Sequence, residues 1–123
     1  MIEKLPAPMD ASVINAATWA AMTGSADRKL TESERAALVR LLDLAKADTG
    51  QSRRVADFLL AWWNPASCGG FDLTTLWGVD DEIAADMAAV FALIARVRAY
   101  PDTLGFEAQF KAVVRAWRPE LAM

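Results

Sequence analysis

The fold of this chain is decided by residues 80–99, which read DDEIAADMAAVFALIARVRA. Acidic residues open the segment and Arg96 and Arg98 close it, which is the charge order that the helix dipole favours. Pro101 follows and ends the helix, because the residue before a proline is pushed out of helical geometry. The segment predicts a helix over Asp80–Ala99 with Asp80 as its N-cap. Its apolar residues recur at helical spacing and form one stripe: Ile83, Met87, Val90, Phe91, Ile94 and Val97.

The same period recurs on both sides of this segment, and no stretch alternates with the period of a β-strand. Thr31 and Glu34 form a capping-box pattern at one helix start. The chain therefore predicts an all-α fold, a compact single-domain bundle of four to five helices over residues 10–123, with a loose N-terminal arm at residues 1–9. Besides Asp80–Ala99, the expected elements are Thr31–Ala47, Ser52–Trp63, Phe106–Arg118, a weaker helix at Asp10–Met22 and a short turn at Asp72–Trp77.

Composition excludes several kinds of chemistry. The 123 residues include no histidine and one cysteine, Cys68, and carry a formal net charge of −3. A histidine-based catalytic triad, a histidine zinc site, an internal disulfide and an iron–sulfur cluster are therefore excluded within the chain. The first residues lack the basic and apolar regions of a signal peptide, and the longest apolar run, Met87–Ala95, is too short to span a bilayer. We expect a cytoplasmic, non-enzymatic protein with no metal, no cofactor and no membrane partner.

Arg53 and Arg54 are the first candidate binding residues. They open a predicted helix at the end where the dipole disfavours cations. Two interpretations stay open: the pair binds an anion such as phosphate or a partner's carboxylates, or Arg53 forms an i,i+4 ion pair with Asp57.

Further candidates lie near the ends of two helices. Lys111, Arg115 and Arg118 form a basic stripe at i, i+4 and i+7, opposite the apolar face of the last helix. Trp63 follows Trp62 directly, so the two rings cannot face the same side of the helix. Two interpretations of Trp63 stay open: it packs under the loop over 64–71, or it forms part of an exposed patch. We include Trp63 and the three cations among the binding residues, although a solvated helix face also explains the stripe.

Two other patterns suggest a metal site and a reactive cysteine, but each pattern has a simpler explanation. Asp80, Asp81, Glu82 and Asp86 could hold a divalent metal, but dipole complementarity accounts for their position. Cys68 precedes Gly69-Gly70 in a loop over 64–71, but no histidine activates its thiol. The glycines are better explained by a sharp reversal between helices.

The segment over residues 41–63 resembles a helix-turn-helix, with Gly50 at the turn. In that motif the N-terminal residues of the second helix enter the major groove of DNA. Lys46 and Gln51 stand where the motif expects packing residues, so an αα-hairpin describes the segment better.

Several specific strings are similar to a known family: DTGQSRRVADFLLAWWN at 48–64, CGGFDL at 68–73, LW at 76–77, YPD at 100–102 and WRP at 117–119. On these strings, from Leu41 to Leu121, the chain resembles a family of uncharacterised small proteins found on proteobacterial plasmids and integrative elements. No activity or catalytic residue comes with the resemblance. It implies a mobile-element setting, with a role in element maintenance or in countering host defences.

Taken together, these patterns favour a non-enzymatic helical module that binds another protein through an aromatic and arginine-bearing surface. A homo-oligomer is compatible with this expectation. The alternative is a DNA-binding accessory protein that uses the hairpin at 41–63. An enzyme with carboxylate chemistry is the third hypothesis.

Overall fold

The computed structural model describes residues 29–122, and the expected arm at 1–9 and helix at Asp10–Met22 lie outside this part. Every regular element of the described part is helical, which confirms the all-α prediction. The α-helices are α1 (Glu32–Ala45), α2 (Gly50–Trp63), α3 (Pro65–Cys68), α4 (Asp81–Val97) and α5 (Glu107–Trp117). Three 3-10 helices join or follow them at Leu73–Gly78, Pro101–Leu104 and Pro119–Leu121.

Helix α1 begins where its capping box predicts. The backbone N–H of Glu34 donates to Oγ1 of Thr31 at 3.1 Å, and the backbone N–H of Thr31 donates to Oε1 of Glu34 at 2.8 Å. These two bonds satisfy backbone donors that the first turn of a helix leaves unpaired. The start of α1 is thus set by residues within three positions of each other.

Helix α4 occupies nearly all of the predicted range, with two differences. Asp80 stands at the N-cap position, but its side chain makes no capping bond; it accepts from Nε2 of Gln51 at 3.3 Å instead. Phe91 was expected in the buried stripe and is 63% exposed. The buried face is narrower than predicted because α4 packs mainly on α1, and Phe91 lies about 100° around the helix from the buried Val90.

The core lies where α1 packs against α2 and α4, and where α2 packs against α5. Its centre is mostly aliphatic. Phe110 of α5 is the aromatic side chain buried there, and Trp62 of α2 meets it edge to face with ring centroids 5.6 Å apart. The largest fully buried side chains are Phe110, Leu38, Leu41, Leu42, Leu59, Leu60, Met87, Leu93, Val55, Val90, Val97 and Val113.

The segment expected as a loop at 64–71 contains one helical turn, α3. Oδ1 of Asn64 accepts from the backbone N–H of Ser67 at 3.2 Å, and Pro65 stands at the first helical position, which its fixed φ suits. Gly69 then takes φ 100° and ψ 158°, a conformation open almost only to glycine. The helical turn therefore ends at one of the two glycines that were expected to allow a reversal of the chain. Among the described residues, no helix is both long and apolar enough to cross a membrane.

Candidate functional site

The six predicted binding residues lie in three separate places. Arg53 and Arg54 lie in the first turns of α2, about 14 Å along the helix axis from Trp63 at its other end. Trp63, Lys111 and Arg115 line one surface cavity of about 300 Å³, together with Val114, Leu121 and Ala122. Arg118 lies between these places and pairs internally. The structure therefore brings three of the six together and keeps the arginine pair of α2 apart from them.

The cavity beside Trp63 is built on the contact between α2 and α5. The indole of Trp63 is half-buried and stacks on Phe110, with centroids 5.7 Å apart and ring planes 18° from parallel. Nζ of Lys111 lies 2.8 Å from Oε2 of Glu107 on the exposed side of α5. Lys111 thus already has a carboxylate neighbour, while Arg115 forms no ion pair with another described residue.

Arg118 holds the C-terminal segment against α2 and α3. Its Nη2 donates to Oδ1 of Asp57 at 2.9 Å, and its Nε donates to the backbone carbonyl of Cys68 at 3.1 Å. The Arg53–Asp57 pair considered above is therefore wrong, since Asp57 pairs with Arg118. Arg118 and Asp57 are separated by about half the length of the chain. The contact between them accounts for the position of the Arg118 side chain.

Arg54 lies against the 3-10 helix at Leu73–Gly78. A Cβ atom placed on Gly78 would lie 2.6 Å from Nε of Arg54, so the guanidinium packs where only a glycine leaves room. Arg53 is exposed, and neither arginine forms an ion pair with another residue of the described part. Arg54 therefore places its charge next to this 3-10 helix, without a carboxylate partner among residues 29–122.

The same 3-10 helix presents the most exposed large apolar side chains in residues 29–122. Trp77 is 85% exposed and Leu73 is 65% exposed. We call Arg54, Leu73 and Trp77 the Trp77 surface. Trp77 directly precedes Gly78, against which Arg54 packs. Tryptophan and arginine are among the residue types that dominate binding energy at protein interfaces.

Asp72 fixes the start of the 3-10 helix that carries Leu73 and Trp77. Its Oδ1 accepts from the backbone N–H of Thr74 at 2.9 Å and from Oγ1 of Thr74 at 2.8 Å. These hydrogen bonds lower the pKa of the Asp72 carboxyl below its usual value, since they favour the charged form. The surface is thus held by a cap that is ionised at neutral pH.

Sequence reasoning placed Trp77 in a short turn but did not identify it as a binding residue. The signal available was weak: Leu73, Leu76 and Trp77 are three apolar residues within a five-residue stretch. Leu76 packs against the core, and the other two lie on the outside. Only the tertiary contact of Leu76 decides which side faces solvent.

The acidic residues at the start of α4 are partly engaged by other side chains. Asp86 accepts two bonds from Arg40, at 2.9 Å from Nε and 2.8 Å from Nη2. Asp80 is held by Gln51 through its carboxylate and through its backbone N–H, which donates to Oε1 of Gln51 at 2.6 Å. Within residues 29–122, no group of three or more potential ligands is arranged to hold a metal ion.

Cys68 is buried next to Arg118 and Glu120. Burial raises the pKa of its thiol, the Arg118 charge lowers it and the Glu120 charge raises it, with a net increase above the usual value. The thiolate is therefore disfavoured at neutral pH, which is the opposite of what a catalytic cysteine requires.

Comparison with known proteins identifies one family. The model of a family of unknown function, DUF7673, matches residues 35–118. No curated protein and no solved structure matches the chain. The match confirms that the chain resembles an uncharacterised family. It covers most of α1, all of α2 to α5 and the Trp77 surface, and it includes the residues that line the cavity beside Trp63 except Leu121 and Ala122.

Proposed function

The chain belongs to DUF7673, a family of unknown function, and we propose that it is a non-enzymatic helical module that binds another protein through the Trp77 surface. The observation that carries this proposal is the 85% exposure of Trp77 in the 3-10 helix against which Arg54 packs. Arg54 forms no ion pair with another described residue. Covering a large exposed aromatic ring with a partner removes apolar surface from water, which favours binding.

The geometry favours a partner that offers an apolar pocket with an acceptor at its rim. Trp77 and Leu73 supply the apolar contact, and Arg54 supplies donors for a carboxylate or a backbone carbonyl. Arg54 is already packed against Gly78, so less side-chain freedom is lost when it binds. Residues of this kind each cost about 2 kcal/mol or more of binding free energy when truncated at a hot spot.

The buried Cys68 with its raised pKa supports a role without covalent catalysis. The resemblance to small proteins of plasmids and integrative elements supports a setting in element maintenance or in countering host defences, with the bound protein as the target.

DNA binding through α2 is the weaker alternative. Gln51 holds the Asp80 carboxylate next to the first turn of α2, where the motif would place a phosphate or a base edge. A carboxylate there repels the phosphate backbone, and Arg54 packs against the 3-10 helix. Duplex DNA therefore serves as a competing ligand in the test.

The test is affinity capture from a lysate of the encoding organism with the full chain as bait, followed by quantitative mass spectrometry. Trp77→Ala and Arg54→Ala should each lose most of one captured protein, about 10-fold or more at 1.4 kcal/mol per decade. Val39→Ala should retain it, since Val39 is an exposed apolar residue of α1 outside the Trp77 surface.

Circular dichroism first checks that each variant is folded. Equal capture by Trp77→Ala and Val39→Ala would contradict the proposal. Displacement of the captured protein by duplex DNA would also contradict the proposal if the affinity of the chain for that DNA falls steeply as the salt concentration rises. Such a salt dependence identifies phosphate contacts.

A further inference from the structure

Trp63 borders a second surface cavity besides the one described above. This second cavity lies between the end of α2 and the 3-10 helix Pro101–Leu104, and its volume is about 450 Å³. Its lining residues are Trp63, Asn64, Pro65, Ala66, Tyr100 and Asp102. We call it the Tyr100 cavity. Its volume falls within the range of about 300–1,000 Å³ that is typical of small-molecule sites.

The charge that lines the Tyr100 cavity is negative. Asp102 contributes a carboxylate, and no lysine or arginine of the described part lines the cavity. Asp102 also forms no ion pair with another residue of 29–122. Its Oδ1 accepts from the backbone N–H of Thr103 at 2.9 Å, and an ionised carboxylate has acceptor capacity on both oxygens. The carboxylate is therefore available to a cation.

Two aromatic side chains line the same cavity as this carboxylate. Tyr100 is 62% exposed, and Trp63 is half-buried. Stacking on Phe110 occupies one face of the Trp63 indole and holds the ring beside the cavity. Tyrosine and tryptophan rings attract cations to their faces, because the ring quadrupole is negative there. The combination of aromatic rings with a carboxylate suits an ammonium ion.

The segment that begins at Tyr100 is held against the end of α2. Nε1 of Trp62 donates to the carbonyl of Ala99 at 3.0 Å, and Oγ1 of Thr103 donates to the carbonyl of Tyr100 at 2.7 Å. Pro101, the residue after Tyr100, is buried. The walls of the cavity are therefore positioned before a ligand enters, which lowers the entropic cost of binding.

We propose that the Tyr100 cavity binds a small organic cation, an ammonium group that carries apolar substituents. Asp102 neutralises the charge of the ligand, and the rings of Tyr100 and Trp63 contact its substituents. The other cavity beside Trp63 is lined by two cations, so the two cavities differ in the charge that they favour. No residue of the Trp77 surface lines the Tyr100 cavity, so the proposal does not depend on partner binding there.

The first experiment titrates the isotope-labelled full chain with choline chloride at constant ionic strength and follows the N–H resonances by heteronuclear NMR. The backbone N–H groups of Asn64, Tyr100 and Asp102 and the indole N–H of Trp63 should shift along one saturating curve. The matched control ligand is the tert-butyl analogue of choline, in which an uncharged carbon replaces the nitrogen. It should bind about 10-fold more weakly, because it loses both the ionic and the cation–π contacts.

Three outcomes of this titration would overturn the proposal. The first is equal affinity for choline and its uncharged analogue, which would make the cavity an apolar cleft without preference for a cation. The second is a set of choline-induced shifts confined to residues outside the cavity. The third is the absence of any saturable shift with choline.

The second experiment measures choline affinity in variants of the lining residues. Asp102→Asn removes the charge but keeps an oxygen for the Thr103 N–H, and it should weaken binding by about 3-fold. Asp43→Asn removes the same charge from an exposed carboxylate of α1 and should leave the affinity unchanged. Tyr100→Leu should weaken binding by about 2–5-fold, whereas Tyr100→Phe, which keeps an aromatic ring, should retain it.

The N–H spectrum of each variant shows whether it is folded. Equal choline affinity in Asp102→Asn and Asp43→Asn would overturn the proposal, and so would an undiminished affinity in Tyr100→Leu. Both experiments use this chain and a small ligand without a partner protein. Their failure therefore leaves the capture test of the Trp77 surface intact.

Discussion

Residues of the same type have different roles in this protein, and the tryptophans of the described part show this most clearly. Trp62 is buried and donates from Nε1 to the carbonyl of Ala99 at 3.0 Å. Trp63 stacks on Phe110 and borders a cavity, and Trp77 faces solvent. A high tryptophan content therefore does not distinguish a core residue from a binding residue. The residues that surround each tryptophan in the folded protein decide whether it belongs to the core or is free to bind a partner.

Gly69 and Gly70 give a prediction at the scale of one residue. A Cβ atom at either position would contact nothing within 4 Å, but only Gly69 has a positive φ. Gly69→Ala should therefore lower the free energy of unfolding by about 1–3 kcal/mol through backbone strain alone. Gly70→Ala should leave it nearly unchanged. Urea unfolding of both variants measures the difference, and equal destabilisation would contradict the role of Gly69.

At the scale of elements, the helix ends are joined by indole side chains. Nε1 of Trp117, in α5, donates to the carbonyl of Ala45 at 2.7 Å. Ala45 is the last residue of α1, where backbone carbonyls have no partner within the helix. The end of α1 is thus closed by a side chain from the other end of the chain.

Trp117→Phe should lower the free energy of unfolding by about 1–3 kcal/mol, because it leaves the Ala45 carbonyl without its donor. Trp77→Phe is the matched control and should change stability little, since Trp77 is exposed and donates to no described residue. Chemical unfolding followed by circular dichroism measures both. A Trp77→Phe effect as large as that of Trp117→Phe would mean that the Trp77 surface is part of the core.

The positions of the four long helices could be predicted from sequence to within two residues at most ends. The capping box of α1 and the charge order of α4 act over three or four residues, so they are visible in the chain itself. The turn α3 and the exposure of Phe91 could not be predicted. The turn α3 depends on how Asn64 caps a single turn, and the exposure of Phe91 depends on which neighbours cover α4.

At the scale of the whole molecule, ion pairs connect helices that are distant in the sequence. Arg40 and Asp86 join α1 to α4, and Arg118 joins the C-terminal segment to α2 and to the Cys68 carbonyl. Cys68 is buried within this arrangement, so its thiol reports on the integrity of the fold.

The raised pKa of Cys68 predicts how stability depends on pH. The folded protein holds the thiol proton at a pH at which the unfolded chain has released it. The free energy of unfolding should therefore fall as pH rises past the ordinary thiol pKa of about 8.5. Cys68→Ala should show a shallower fall between about pH 8 and pH 10, because other groups titrate equally in both proteins. Chemical unfolding at a series of pH values measures the two slopes, and identical slopes would contradict the burial effect.

Composition and signals within one or two turns are enough to establish the all-α class, the helix positions and the exclusion of histidine chemistry. The pairing of Asp57 with Arg118, the packing of Arg54 against Gly78 and the exposure of Trp77 depend instead on how distant parts of the chain meet. The physical reason is that such contacts join residues 24 to 61 positions apart, and no local pattern specifies which side chains meet across that distance.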